Sequence, residues 1–278
     1  MNQPIEFAYF GTPYVARDTL ATLVERGFTP AVVITSPDAP RGRGLVLTPS
    51  ETKSWALAHD IPVLTPEKLD ADTNEEIKKY DCELGIVVAY GKILPQSLID
   101  AFPKGILNIH YSLLPKYRGA SPVESALLHD EKTTGITIQK MAFELDAGDV
   151  LAQTEVPIEP AETTRELRAR LIKLGAELLS DILPRYVTSE LVGVPQDATQ
   201  ATRAKKIKKE EGELTIPGNN RENWNKYRAY AEWPGTHFFR DGKRVKITKA
   251  RFENDAFVIE HVVPEGKNEM DYADFLRK

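Results

Sequence analysis

Continuous apolar runs alternate with amphipathic stretches along the first two-thirds of the chain, and each run predicts one element. Residues 5–10 are apolar enough for a buried strand, and 15–25 follow with a helical pattern that puts Leu20, Leu23 and Val24 on one side. Pro13 stands at the start of that helix, where a missing N–H is tolerated. A second strand is expected over 31–34, a turn-rich loop over 36–50, a helix over 51–59 and a short apolar segment over 61–64. The rhythm then repeats: an Ile/Val strand at 84–89, a short helix at 95–101, a strand at 105–110 and a helix at 121–129. Ser121 is its expected N-cap and Pro122 its first residue. Strands over 134–141 and 150–157 flank a loop carrying Asp146. An amphipathic helix over 164–186 shows Leu167, Leu171, Leu174, Leu178 and Leu179 on its apolar face.

Strands alternating with helices predict an α/β, Rossmann-like, mostly parallel sheet with helices on both faces. Ligands of such sheets gather beyond the C-terminal strand ends, an edge shared here by Gly11, Tyr90 and His110. The segment after the first strand lacks the Gly-x-Gly-x-x-Gly dinucleotide fingerprint. Periodicity fades over 187–209, where Arg203, Lys205, Lys206, Lys208 and Lys209 make the chain basic. A helix over 221–231, a hairpin over 237–252 turning at Asp241-Gly242 and a last strand over 257–263 complete a small α+β or β unit. The expected division is a large domain over 1–188, a basic linker over 189–209 and a C-terminal domain over 210–278.

Composition adds boundaries to this picture. At 278 residues, 41% hydrophobic and 28% charged, the chain suits one large soluble domain plus a lesser one. One cysteine, Cys82, excludes an intramolecular disulfide and fits a reducing compartment; it reads as a small buried residue before a strand. Residues 1–6 lack a signal-peptide pattern, and no apolar run approaches the roughly 18 residues of a membrane span, so a cytoplasmic protein without membrane contact is expected. A net charge of −5 argues against wholesale nucleic-acid binding, although a local basic stretch can override it. No Cys/His spacing suggests a metal. His59 and His129 fall at helix C-terminal ends, where the helix dipole favours them, and His237 and His261 lie in the tail. Trp224 and Trp233 are expected to pack the tail.

The chemistry concentrates in Asn108, His110 and Asp146. Asn108 and His110 are alternate residues ending a strand, so both project from one face. A carbonyl attacked by an amine develops negative charge on oxygen, which the amide of Asn108 and a protonated His110 can stabilise. Asp146 can hold that imidazolium by a charge-assisted contact and accept the amine's proton. Each residue taken singly is commonplace; the set gains weight from the string Tyr111-Ser-Leu-Leu-Pro-Lys-Tyr-Arg-Gly119 beside it.

That string, together with Asn108-Ile-His110, Thr134-Gly-Ile-Thr137 and Leu145-Asp-Ala-Gly-Asp149, resembles the formyltransferases that use 10-formyltetrahydrofolate. Phe10-Gly-Thr-Pro13, Ser36-Pro-Asp-Ala-Pro-Arg-Gly-Arg-Gly44, Leu47-Thr-Pro-Ser50 and Val87-Val-Ala-Tyr-Gly-Lys-Ile-Leu-Pro95 are similar to the branch of that family acting on methionyl-tRNA. The resemblance covers about residues 5–210 and continues loosely to the C-terminus. It implies Asn108, His110 and Asp146 as catalytic set and a folate pocket at Val88, Ala89, Tyr90, Ser112, Leu113, Leu114, Pro115, Met141 and Asp146, with Leu114-Pro115 a candidate cis bond. It further implies contact with initiator methionyl-tRNA by Gly11, Thr12, Pro13, Arg41, Arg43, Lys205, Lys206, Lys208 and Lys209, and a monomeric enzyme of translation initiation that needs no metal. Alternating Arg and Gly at 41–44 suits phosphate contact, although such a loop is more often merely solvated.

The family ends in a five-stranded OB-type barrel, whereas about three strands fit between His237 and Val263 here, so a shortened OB-like domain is expected. Leu45 and Val46 also replace lysines common in the family's loop. The nearest rival is an amino sugar nucleotide N-formyltransferase with the same folate donor, which should lack the Arg-Gly loop and the basic linker. A hydrolase that deformylates the folate and a non-catalytic folate- or RNA-binding protein are more distant.

Overall fold

The computed structural model describes residues 5–42 and 44–277. In chain order the elements begin with β1 (Phe7–Gly11), α1 (Tyr14–Glu25), β2 (Val32–Ile34), β3 (Ala39–Arg41), β4 (Val46–Thr48), α2 (Glu51–Ala58), β5 (Val63–Leu64) and α3 (Ala71–Lys78). There follow β6 (Leu84–Val88), α4 (Gln96–Ile99), β7 (Ile106–His110), β8 (Arg118–Gly119), α5 (Pro122–Leu128), β9 (Thr133–Lys140), β10 (Val150–Pro157) and α6 (Thr164–Val187). The remainder comprises β11 (Arg203–Ala204), α7 (Asn220–Ala229), β12 (Thr236–Arg240), β13 (Lys243–Glu253), β14 (Ala256–Pro264), β15 (Met270–Asp271) and α8 (Tyr272–Leu276), with short 3-10 turns at Ala198–Gln200 and Lys209–Gly212.

Seven strands form one sheet in the order β10-β9-β7-β6-β1-β2-β5. β6, β1, β2, β5 and β7 pair in parallel, and β9 joins β7 antiparallel, so the sheet is mostly rather than wholly parallel. β1 and β6 are buried at every position because the sheet is covered on both faces. Ala8, Phe10, Val32, Ile34, Val87, Leu98, Phe102 and Ile106 form a core on which Phe10 meets Tyr90 and Phe102 edge-on at 5.6 and 6.1 Å. Cys82 lies half-buried against this core, and burial, with Glu6 and Asp81 nearby, pushes its thiol up to about 12.

The chain gathers into two compact units. The first takes the residues up to Arg118, Gly135–Thr154 and Leu171–Ala201; the second takes Gly119–Thr134, Glu155–Arg170 and everything from Thr202 onward. In the second unit β12-β13-β14-β15 form an antiparallel sheet around Leu214, Phe238, Val245, Ile247, Ile259 and Val262. Trp224 and Tyr227 of α7 stack at 5.6 Å and meet Phe252 and Phe257, and Arg168 is clasped between Glu124 and Glu232.

Several expectations need correction. The loop 36–50 contains the β3–β4 hairpin, and the polar α3 has too few apolar positions to announce itself: Thr73 and Ile77 are its buried residues. Ser121 precedes α5, but its hydroxyl caps no backbone N–H, while Pro122 does start the helix. The tail sheet has four strands rather than three, the extra one being the two-residue β15. Trp224 is 5% exposed and packs the tail as expected, whereas Trp233 is 52% exposed and does not. Leu114–Pro115 is cis, as are Ile216–Pro217 and Trp233–Pro234. No helix among the described residues is long and apolar enough to cross a membrane.

Candidate active site

β7 is an apolar strand between β6 and β9, which forces its two polar residues to the rim of the sheet. Asn108 lies opposite Val87 on β6 and Gln139 on β9, and His110 lies opposite Thr137. Asn108 is half-buried, and its carboxamide has no hydrogen-bond partner among the described residues. His110 is 6% exposed, so its ring is oriented by protein rather than by water.

Both nitrogens of that ring have assigned neighbours. Nε2 lies 2.9 Å from the Tyr117 carbonyl oxygen. A carbonyl can only accept, so Nε2 carries a hydrogen and Nδ1 is the nitrogen left to face other groups. Nδ1 faces Asp146 Oδ2 at 3.7 Å, within ion-pair reach but too long for a hydrogen bond. The other carboxylate oxygen, Oδ1, accepts from Gln139 Nε2 at 3.1 Å. Asp146 is thus brought to the face of β7 that carries Asn108 and His110.

The segment after β7 turns sharply and is tied down by two polar side chains. Thr137 Oγ1 donates to the Ser112 carbonyl at 2.6 Å and accepts from the Leu114 N–H at 3.1 Å. Gln153 Nε2 donates to the Leu114 carbonyl at 2.8 Å and to Thr137 Oγ1 at 2.9 Å. Ser112 Oγ donates to the Lys116 carbonyl at 2.6 Å, and the Lys116 N–H to the Leu113 carbonyl at 3.0 Å. This knot delivers the Tyr117 carbonyl to His110. The Asp146 loop is tight for a different reason: a Cβ on Gly148 would lie 1.7 Å from the Lys140 carbonyl oxygen, so only glycine fits there. Asp146 itself takes a left-handed conformation, φ 51°.

The neighbouring strand ends share the rim. Gly11 of β1 pairs with Val88 of β6, and Thr12 Oγ1 donates to the Tyr90 carbonyl at 3.2 Å. Ala89 turns the chain at φ 46°; Met141 instead lies at the start of β7, the end away from His110, where its N–H donates to the Ile106 carbonyl at 2.7 Å. Tyr90 is 3% exposed, burial pushes its phenol up to about 12, and its hydroxyl has no partner among the described residues. An amide donor, an imidazole and a carboxylate at the rim of a mostly parallel sheet can stabilise a carbonyl oxygen and remove a proton from a nucleophile.

Comparison with known proteins places this arrangement. Residues 5–183 match the formyl transferase family and residues 206–257 match the formyl transferase C-terminal domain. The chain belongs to the formyl transferase family. It is 41% identical over 244 residues to a methionyl-tRNA formyltransferase of Geobacter sulfurreducens, covering 87% of this chain and 77% of that protein. A methionyl-tRNA formyltransferase of Bdellovibrio bacteriovorus is 37% identical over 303 aligned positions, 98% of this chain and 95% of that one. Three solved structures share the fold at under 20% identity. Methionyl-tRNA formyltransferase from Clostridium thermocellum has a TM-score of 0.62 over 93% of this chain and 97% of that chain, at 16% identity. HypX from Aquifex aeolicus in complex with tetrahydrofolic acid scores 0.69 over 99% of this chain at 16% identity, and this chain spans 47% of its length. An N-formyltransferase from Helicobacter canadensis with folinic acid and dTDP-3-aminofucose scores 0.66 over 92% and 95% at 18% identity. The family supports a folate-type co-substrate.

Within this formyl transferase the remaining candidate residues are dispersed. Arg41 of β3 is exposed and paired with Glu51 Oε1 at 2.7 Å, and Arg43 lies outside the described residues. Burial disfavours the Glu51 carboxylate, but the Arg41 bond, a backbone N–H and the charges of Arg41 and Arg17 together hold its pKa below the ordinary value. Pro13 caps α1, and its carbonyl accepts from the N–H groups of Ala16 and Arg17 at 2.9 and 3.1 Å. Lys205, Lys206, Lys208 and Lys209 belong to the second unit and are all exposed, while Ala204 and Ile207 between them are buried. Sequence reasoning named Thr137 within a motif but gave it no role, and missed Gln139 and Gln153, the other polar residues that orient the site. For Thr137 and Gln139 the available signal was two polar residues on the strand Thr133–Lys140, whose positions 134–139 are buried without exception.

Proposed function

We infer that this chain transfers the formyl group of 10-formyltetrahydrofolate to the free amino group of initiator methionyl-tRNA in the cytoplasm. The substrate follows from the relatives at 37–41% identity over nearly the whole chain. The chemistry is carried by one observation: His110 Nδ1 faces Asp146 Oδ2 beside Asn108, with Nε2 committed to Tyr117.

The backbone turn at Ala89 beside the strand end suits a polar heterocycle, which supports giving Val88, Ala89, Tyr90, Met141 and the 112–115 segment to the folate. The folate would supply a formyl carbon on N10. The amine's bond to that carbon forms first, the N10–carbon bond then breaks, and the proton that Asp146 takes from the amine passes to N10. Asn108 and the Nδ1–H of the imidazolium donate to the formyl oxygen as it becomes negative. Asp146 stabilises that imidazolium through space and takes the proton released by the attacking amine, directly or through one water. Holding amine and formyl carbon in register supplies the rest of the acceleration.

Purified protein is offered 10-formyltetrahydrofolate with methionyl-tRNA and, in parallel, with amino sugar nucleotides. Formyl-methionyl-tRNA is the expected product; product on the sugars alone overturns the assignment. His110→Ala and Asp146→Ala should each lower kcat by about 10²–10³ with folding intact, and near-normal rates would remove them from the mechanism.

A further inference from the structure

The connector after α6 is built into the site. Val194 and Val150 exchange N–H to carbonyl bonds at 2.8 Å in both directions as an antiparallel bridge. Gly193 is pressed so closely on the Asp146 loop that a Cβ there would lie 2.6 Å from Asp149 Cβ. Gln196 is thereby seated, half-buried, beside that loop. Arg118 Nε and Nη2 donate to its Oε1 at 3.1 and 2.8 Å. Its Nε2 donates to the carbonyls of Asp146 and Gly148 at 2.9 and 2.8 Å. A guanidinium only donates and a carbonyl only accepts, so these neighbours fix which end of the amide is which. Arg118 is 9% exposed, and its Nη1 lies 3.6 Å from Glu144 Oε1 in the same loop.

We propose that Gln196 is a positioning residue for formyl transfer, locking the Asp146 backbone to Arg118 so that the Asp146 carboxylate keeps its register with His110. Asp146 turns the loop through a left-handed conformation, φ 51°, and its carboxylate stays opposite His110 only while that turn is held. The two bonds from Gln196 to the carbonyls of 146 and 148 supply that constraint. Only a carboxamide serves both sides. A glutamate would satisfy Arg118 but turn an oxygen toward two carbonyl oxygens, a lysine or arginine would meet the Arg118 charge, and an apolar side chain would strand the buried guanidinium.

The inference rests on Asp146 acting in the proposed reaction, and Gln196→Glu separates the two ideas. The substitution keeps the Arg118 side as an ion pair and breaks only the Asp146 side. Expected are a variant that still folds cooperatively, a kcat lower by roughly 10–100-fold with far smaller changes in KM, and faster amide hydrogen exchange over residues 142–149. A kcat within about twofold of wild type, or unaltered exchange over that loop, overturns the clamp. A rise in KM with kcat intact does the same. If the wild-type protein transfers no formyl group, the functional reading falls, and exchange alone then decides the clamp. Should the glutamate variant not fold, Gln196→Met, which removes both sets of bonds without adding charge, is read by kcat per folded molecule and by the same exchange measurement.

Discussion

Thr137→Val tests whether the polar knot under His110 stabilises the fold or merely accompanies an apolar core. Thr137 is fully buried and its hydroxyl serves Ser112, Leu114 and Gln153 at 2.6, 3.1 and 2.9 Å. Valine has nearly the same shape, so no cavity is made. The Ser112 carbonyl and the Leu114 N–H lose their partner, at about 1–3 kcal/mol for each buried group left unsatisfied. The added methyl offsets about 0.8 kcal/mol. The net loss is then roughly 1–5 kcal/mol, a large fraction of a typical domain's ~5–15 kcal/mol. Gln153 still holds the Leu114 carbonyl, which argues for the lower part of that range. Thr137→Ser keeps the hydroxyl and loses only a methyl, about 0.8 kcal/mol. Urea unfolding should therefore rank wild type above the serine variant and the serine variant above the valine variant, with kcat following as the Tyr117 carbonyl drifts from His110. A valine variant at least as stable as the serine variant would refute the reasoning, because burial of apolar surface alone predicts that order.

The other expectations are separate. Charge reversal at Lys206 and Lys209, both exposed, should weaken methionyl-tRNA binding by about tenfold or more at low salt and flatten the dependence of affinity on salt by about two phosphate contacts; unchanged affinity in a filter-binding titration sinks the assignment. Asn108→Ala should lower kcat by about 10²–10³ with KM for methionyl-tRNA little changed, and a loss confined to KM would make Asn108 a ground-state contact instead. His237 is 6% exposed and its Nδ1 lies 3.3 Å from Arg244 Nη2, so burial first and the guanidinium second hold its pKa below the ordinary 6.5. Its contribution to stability is full above about pH 6.5 and is lost as pH falls, since the unfolded chain then takes up a proton that the folded one refuses. Melting temperatures between about pH 7 and 5 should accordingly fall less in His237→Asn than in wild type; equal slopes would mean that another group titrates.

Local pattern alone carried a good deal. The Ile/Val run of β6 and the alternate Asn108 and His110 ending β7 are legible because a strand buried on both faces must be apolar until it reaches the rim. The hairpin at Asp241-Gly242 is legible because both residues take positive φ, 51° and 74°, which that dipeptide favours. His59 and His129 end their helices as read, each placing Nδ1 2.8 Å from the carbonyl four residues back. The sequence by itself therefore determined the sheet, its rim and the candidate set of Asn108, His110 and Asp146. Tertiary structure decided how those groups are held. Arg41, read as a phosphate ligand, turns to Glu51, and a stretch read as the start of a linker returns Gln196 to Asp146 across 50 residues. Hydrogen bonds of that span leave no periodicity behind. A side chain's local neighbours set where it can point, but only the folded chain brings the partner that fixes it.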